Sequence, residues 1–266
     1  MTKHTIKVHK INPNFEYRPP RHWLNDNALL THILNTFTLI FPDVERFFVR
    51  SLKNLDQELI NESLNKDLKG FIGQEISHAL VHEKMFSILE DQDYEINFFL
   101  YPYRKISYEI IEPLLSKKFA VALTAGLEHF TALFANVGLK HNILLNADRM
   151  MKEIFEWHAA EELEHKSVAY DVMIELGVTY EERILAFLLA TLLFTGFLSF
   201  GVLFFLTSDG ELFSIKTMEE LNSFFFGDTK MSSELLEIFW EYFDPNFHPS
   251  KKEDYYLAER VFASAI

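Results

Sequence analysis

The chain has 266 residues, of which 39 are acidic and 25 basic, giving a formal net charge of -14. That balance excludes a nucleic-acid surface, which needs clustered Lys and Arg against phosphates. The absence of cysteine excludes disulfides, thiolate metal sites and a Cys nucleophile, so any metal must rest on His and carboxylate ligands. Length is ample for a large core, and 27 Phe against 9 Gly and 8 Pro point to an all-α protein of long helices. Met1 to Lys10 lacks the apolar run of a secretory signal, which together with the missing cysteines points to the cytoplasm.

Residues 1–25, with Pro13, Pro19 and Pro20, read as an extended arm with no chemistry assigned to it. From Asn27 to Phe41, Leu29, Leu30, Ile33, Leu34, Phe37 and Ile40 recur at helical spacing, and Pro42 either interrupts that helix or opens the next. Glu45 follows, a carboxylate among Val44, Phe47, Phe48 and Val49. In Phe71 to Met85, Glu75, His78 and His82 share an arc of about 60° at about 100° per residue, a stripe that Phe71, Met85 and Leu89 extend. Residues 91–113, with Pro102 and Pro113 around the run Phe98 to Tyr101, read as a long connection between helix pairs.

Glu128 lies among small residues. Thr124, Ala125, Thr131 and Ala132, one turn away, mean either open volume beside the carboxylate or close helix packing. The adjacent His129 points about 100° away, toward the surface or a supporting role. In Trp157 to Asp171, His158, Glu162 and His165 again share an arc of about 60°, with Phe155, Ala169 and Val172 continuing the stripe. Glu161 lies slightly off that face and competes with Glu162, which the spacing to His165 favours. Glu164 and Lys166 read as solvated charges.

Residues 26–180 therefore form one helical bundle, 181–207 a strongly apolar helix and 208–266 a helical extension with turns at Gly227-Asp228 and Asp244-Pro245-Asn246. Ile184 to Thr207 carries no charge and at about 1.5 Å per residue spans about 36 Å, enough to cross a hydrocarbon core of about 30 Å. A single crossing would strand the acidic tail on the far side. A helix lying in the membrane interface, or buried against the bundle and a partner subunit, is the expectation, and the protein is then peripheral to or anchored in the inner membrane.

In chain order the ionisable residues on apolar faces read Glu45, Glu75-x-x-His78, Glu128, Glu162-x-x-His165. Four helices contributing Glu, Glu-x-x-His, Glu and Glu-x-x-His are the ligand set of ferritin-like dinuclear carboxylate proteins. The gaps fit two antiparallel helix pairs joined by one longer crossover: 30 residues from Glu45 to Glu75, 53 to Glu128, and 34 to Glu162. Inward carboxylates and imidazoles are costly to desolvate unless a cation compensates them.

The motifs Phe41 to Phe48, Gly73 to His82, Leu127 to His129 and Trp157 to Lys166 resemble those of a bacterial family described as predicted metal-dependent hydrolases, over about residues 20–206. The arrangement is also similar to that of di-iron arylamine N-oxygenases, which carry a His four residues before the last Glu-x-x-His, as His158 stands before Glu162. These resemblances imply two metal ions, iron before manganese or zinc, held by Glu45, Glu75, His78, Glu128, His158, Glu162 and His165. His82 departs from the ordinary set and is a further ligand, a supporting residue or a proton carrier; Glu161 is the other possible addition. The expected activity is O2-dependent oxidation of a small or apolar organic substrate, with metal-dependent hydrolysis of an ester or phosphate and ferroxidase-like iron binding as alternatives. The partners expected are this substrate, a membrane contact through Ile184 to Thr207 and a second copy of the chain.

Overall fold

In a computed structural model, residues 6–264 are described except 54, 56–60 and 228–230, so the turn expected at Gly227-Asp228 runs outside the described residues at Asp228. Every regular element among the described residues is helical. Ala28–Lys53 forms α1, an uninterrupted helix with Pro42 inside it. A proline there removes one backbone hydrogen bond at a cost of about 3 kcal/mol, and burial on nearly every side of Thr31 to Leu52 offsets it. Glu62–Asp91 forms α2, which starts where the Asn61 side chain accepts from Leu64 N.

Residues 91–113 are not the irregular connection that their prolines suggest. Asn97–Arg104 is α3, Lys105–Ile111 a π-helical stretch and Glu112–Leu114 a 3-10 turn. Phe99, Leu100 and Tyr103 are buried there, so aromatic packing overrides the proline signal.

Lys117–Lys140 is α4, capped by Ser116, and Arg149–His165 is α5, capped by Asp148. Val168–Glu175 is α6. The expected continuous helix from Trp157 to Asp171 thus breaks at Lys166 and Ser167, just after His165. Lys166 is not solvated. Its ammonium is buried against Asp254, donates to Lys252 O at 2.8 Å and sits 4.2 Å over the Tyr255 ring. Glu164, half-buried, accepts from Gln74 Nε2 at 3.0 Å.

Tyr180–Ser208 is α7, opened by a capping box between Thr179 and Glu182. Its buried face, with Phe187, Ala190 and Phe194, packs on α4, and Gly201 lies against Thr36 of α1, where a Cβ would come within 2.3 Å of Thr36 Cγ2. Gly126 on α4 likewise lies against Phe187 and Ala190 in close helix packing, while Thr131, one turn after Glu128, lines open volume, so both expectations for this stretch are met in part. By length and composition α4 and α7 could each cross a membrane; 78% of the α4 apolar window is buried, against 22% for α7. Leu185, Leu188 and Leu192 on α7 are exposed.

Ile215–Phe226 (α8), Met231–Glu241 (α9) and Tyr255–Ser264 (α10) complete the chain, with α9 against α4 and α10 against α5. One apolar cluster extends from Trp23 to Tyr242. Packing of α1 on α2, α4 on α5, and each pair on the other is compatible with a four-helix bundle.

Asp209, at the end of α7, pins the arm to this assembly. Its carboxylate accepts from Arg21 Nε at 2.7 Å, His22 Nε2 at 2.7 Å, His32 Nε2 at 3.0 Å and Tyr94 OH at 2.8 Å. His22, His32 and Asp209 have the spacing of a metal site, but four donors, the Arg21 guanidinium among them, already satisfy the carboxylate. Burial would raise this carboxyl, yet hydrogen bonds from His32, His22, Tyr94 and Arg21 hold it well below the usual carboxylate range. A depressed folded-state pKa adds stability above the unfolded value, near 3.9, that is lost as the pH falls below it. Asp209→Asn is expected to cost about 3 kcal/mol in urea unfolding at pH 7, with the gap to wild type narrowing below about pH 4.

Candidate metal centre

Helical phase brings seven side chains to one place. Glu45 comes from α1, Glu75 and His78 from α2, Glu128 from α4, and His158, Glu162 and His165 from α5; all are buried. His165 Nε2 lies 3.1 Å from Glu75 Oε1, 3.3 Å from Glu128 Oε2 and 3.4 Å from Glu162 Oε2. His158 Nε2 lies 2.9 Å from Glu162 Oε1 and 3.5 Å from Glu45 Oε1. His78 Nδ1 is 3.6 Å from Glu162 Oε1 and 3.9 Å from Glu75 Oε1.

The contacts define two lobes. One gathers Glu45, His78 and His158, the other Glu75, Glu128 and His165, and in each three donor atoms lie within 4.8 Å of one another. Glu162 stands between, with Oε1 toward His158 and Oε2 toward His165. Glu45, Glu75 and Glu128 leave both oxygens without a hydrogen bond, and Glu162 Oε2, His78 Nδ1 and His165 Nε2 do the same. Nine buried polar atoms in this state, all in one cluster, are costly without a shared partner.

The outward nitrogens are each engaged. His78 Nε2 meets Glu161 Oε2 at 2.8 Å, His165 Nδ1 donates to Gln74 Oε1 at 2.9 Å, and His158 Nδ1 meets His82 Nε2 at 2.8 Å. His82 Nδ1 in turn faces Thr38 Oγ1 at 3.4 Å. Such outer hydrogen bonds orient each ring and leave the inward nitrogen for a cation. Glu161 and His82 therefore do not join the seven: each holds the far side of an imidazole. Glu161, at about 100° from Glu162, is turned out of the cluster by the same helical phase that turns Glu162 in. His129 is buried away from it, bonded to Ile238 O at 2.9 Å.

Two contributors gave no sequence signal. Gln74 adjoins Glu75 but faces His165 from behind, and its Nε2 also donates to Lys7 O at 2.9 Å. His9, in the arm to which no chemistry was assigned, donates its backbone N–H to Glu161 Oε1 at 2.6 Å and brings its ring Nδ1 to 3.1 Å. His9 O accepts from Trp157 Nε1 at 2.9 Å. The arm runs close over α2, where a Cβ on Gly73 would come within 2.8 Å of Val8 Cγ2.

Electrostatics follow from burial. Desolvation pushes Glu45 and Glu75 well above the usual carboxylate range, and neighbouring carboxylates add to it. Burial and Glu162 raise Glu128 to about 7. Burial opposes ionisation of Glu162 too, but His165 and His158 hold it well below the usual range; His165 is correspondingly raised against its own desolvation by Glu162 and Glu128. Without a cation the cluster therefore holds protons that metal binding must release.

Metal analysis of the purified protein is expected to find about two transition-metal ions per chain, reduced strongly by Glu75→Ala or His165→Ala and unchanged by Glu153→Ala on the exposed face of α5. Fe(II) affinity should fall as the pH drops below about 7, because protons on raised carboxyls such as Glu128 then compete with the metal. Equal occupancy in all three variants, or affinity independent of pH, would contradict the arrangement.

A family model described as "Predicted metal-dependent hydrolase" matches residues 7–253, a span that takes in the arm from Lys7, the cluster and most of the C-terminal helices. No curated protein and no solved structure gives a significant match. With the donors already in place and the match covering nearly the whole chain, this protein belongs to the family of predicted metal-dependent hydrolases.

Proposed function

We propose that the chain is a dinuclear-metal enzyme built on a ferritin-like four-helix bundle, with Glu45, Glu75, His78, Glu128, His158, Glu162 and His165 holding two ions. The observation that carries this reading is the cluster of nine inward atoms without hydrogen bonds. Four carboxylates balance two divalent cations in charge, and oxygen donors with imidazoles suit iron, manganese or zinc. We assign iron. When bound, two ferrous ions would supply electrons that reduce O2, and the reduced oxygen would then take electrons from an organic substrate.

The chain's own residues would do the rest. Glu162 spans both lobes; Glu161, Gln74 and His82 fix His78, His165 and His158 so that their inward nitrogens face the ions. An apolar cavity reaches His158 and Glu162, which supports an apolar substrate approaching without water. Seven donors around two ions leave little room for a hydrolytic water, which favours oxidation. The family description supports a second reading, hydrolysis of an ester or phosphate by a metal-acidified water.

Exposing the anaerobically Fe(II)-loaded protein to O2 separates the two. The expected result is an optical change with O2 consumption. A silent spectrum combined with metal-dependent cleavage of a p-nitrophenyl ester would instead establish the hydrolase.

We also propose that the outward face of α7 rests on a membrane interface. Leu185, Leu188 and Leu192 are exposed, while Phe187, Ala190 and Phe194 are committed to the bundle, so lipid would meet one side only. The protein should resist high-salt extraction of membranes and be released by detergent. Full recovery in the soluble fraction would reject this and leave the face for a second copy of the chain.

A further inference from the structure

A cavity of about 600 Å³ lies between α1, α4, α5, α7, α8 and α9, within the range of about 300–1,000 Å³ usual for ligand sites. Its walls include Leu34, Phe37, Gly138, Leu198, Val202 and Leu235. Among the described residues only four lining side chains are polar: Thr131 and Ser199 on the walls, and His158 and Glu162 at the inner end. At the outer end Leu203, Phe213, Met218 and Phe225 are both lining and solvent-exposed. The void therefore joins an apolar mouth to the polar cluster.

Charge around the mouth narrows the occupant. Across α8 and the segment before it, Glu211, Glu219 and Glu220 face a single cation, Lys216, whose ammonium is held by Asp26 at 2.6 Å. Among the described residues no lining side chain is a Lys or Arg that could pair with an anionic headgroup.

We propose that this cavity is the substrate chamber of the cluster and takes a single uncharged aliphatic chain, of the n-alcohol type, with its apolar end inward. Its link to chemistry rests on the metal-enzyme reading above; binding of the chain does not. Gly138 on α4 is the position that tests it. A Cβ there meets nothing within 4 Å, and the residue lines the cavity, so Gly138→Phe adds a ring to the wall at a point where its Cβ meets no neighbour. Replacing glycine inside a helix also favours the helix, which protects the fold.

The measurement is displacement of the neutral dye Nile red from the full-length protein by n-alcohols from hexanol to decanol, with metal content determined on the same samples. Affinity should rise about fourfold per added methylene, the fold-change equivalent to about 0.8 kcal/mol. Decanoate should bind about tenfold or more weaker than decanol, since at the mouth its carboxylate meets the like charges of Glu211, Glu219 and Glu220 while Lys216 is held by Asp26. Gly138→Phe should lower decanol affinity by about tenfold or more, with circular dichroism and metal content unchanged. Gly196→Phe, on the exposed side of α7 where a Cβ also meets nothing, should match wild type. Affinity independent of chain length, equal binding of decanoate, or undiminished binding by folded Gly138→Phe would each overturn the proposal. Loss of metal from the wild type would count against the metal reading alone.

Discussion

Four carboxylates and three imidazoles share one buried volume at the centre of this protein, and most of the structure answers to that fact. Burying even one ionised carboxylate without a partner costs several kcal/mol, and like charges a few ångströms apart repel strongly in a medium that cannot screen them. In the metal-free protein the tension is relieved by protons, with Glu45 and Glu75 pushed toward their neutral forms and His165 holding a charge against Glu162 and Glu128. The oxygens of Glu45, Glu75 and Glu128 nonetheless remain without hydrogen bonds. A bound cation would satisfy these same atoms and relieve the repulsion between them.

The surroundings of the cluster hold its geometry by long-range contacts. Glu161 braces His78 while the arm braces Glu161 through His9, so a segment at the start of the chain reaches an imidazole on α2 through a carboxylate on α5. Gln74 ties His165 to the arm at Lys7 and to Glu164. On the other side of the α5 break, Lys166 turns away to Asp254, which also accepts from Asn136 Nδ2 of α4 at 2.7 Å. The segment just before α10 is thus tied directly to the bundle.

Helix α7 has two apolar faces with different obligations. The inner one supplies Phe187 and Phe194 to stacked rings with Phe130 of α4, and the close approach at Gly201 lets α7 lie on α1. The C-terminal half of the same helix, with α8 and α9, also lines the cavity that reaches His158 and Glu162. A helix apolar all round can be packed on one side and remain unsatisfied on the other, which is why length and hydropathy alone do not separate a core helix from one that meets lipid.

Local periodicity was enough to mark the helices and to bring Glu45, Glu75, His78, Glu128, His158, Glu162 and His165 to inward faces, because residues three and four apart must share a side of an α-helix. That rule also preferred Glu162 over Glu161. Its reach ends at the helix surface. The break after His165, the unbroken course of α1 through Pro42, the burial of Lys166 and the helical form of residues 97–114 all depend on what packs from elsewhere in the chain. His82 had the right phase but one turn of displacement, and only the position of His158 turns it into a brace. Gln74 lay off the periodic face and His9 on no helix, so neither had a pattern to be read; their partners, His165 and Glu161, are 91 and 152 residues distant. Contacts at such separations leave no local trace, since they are set by how helices and the arm fold over one another and not by the pitch of any one of them.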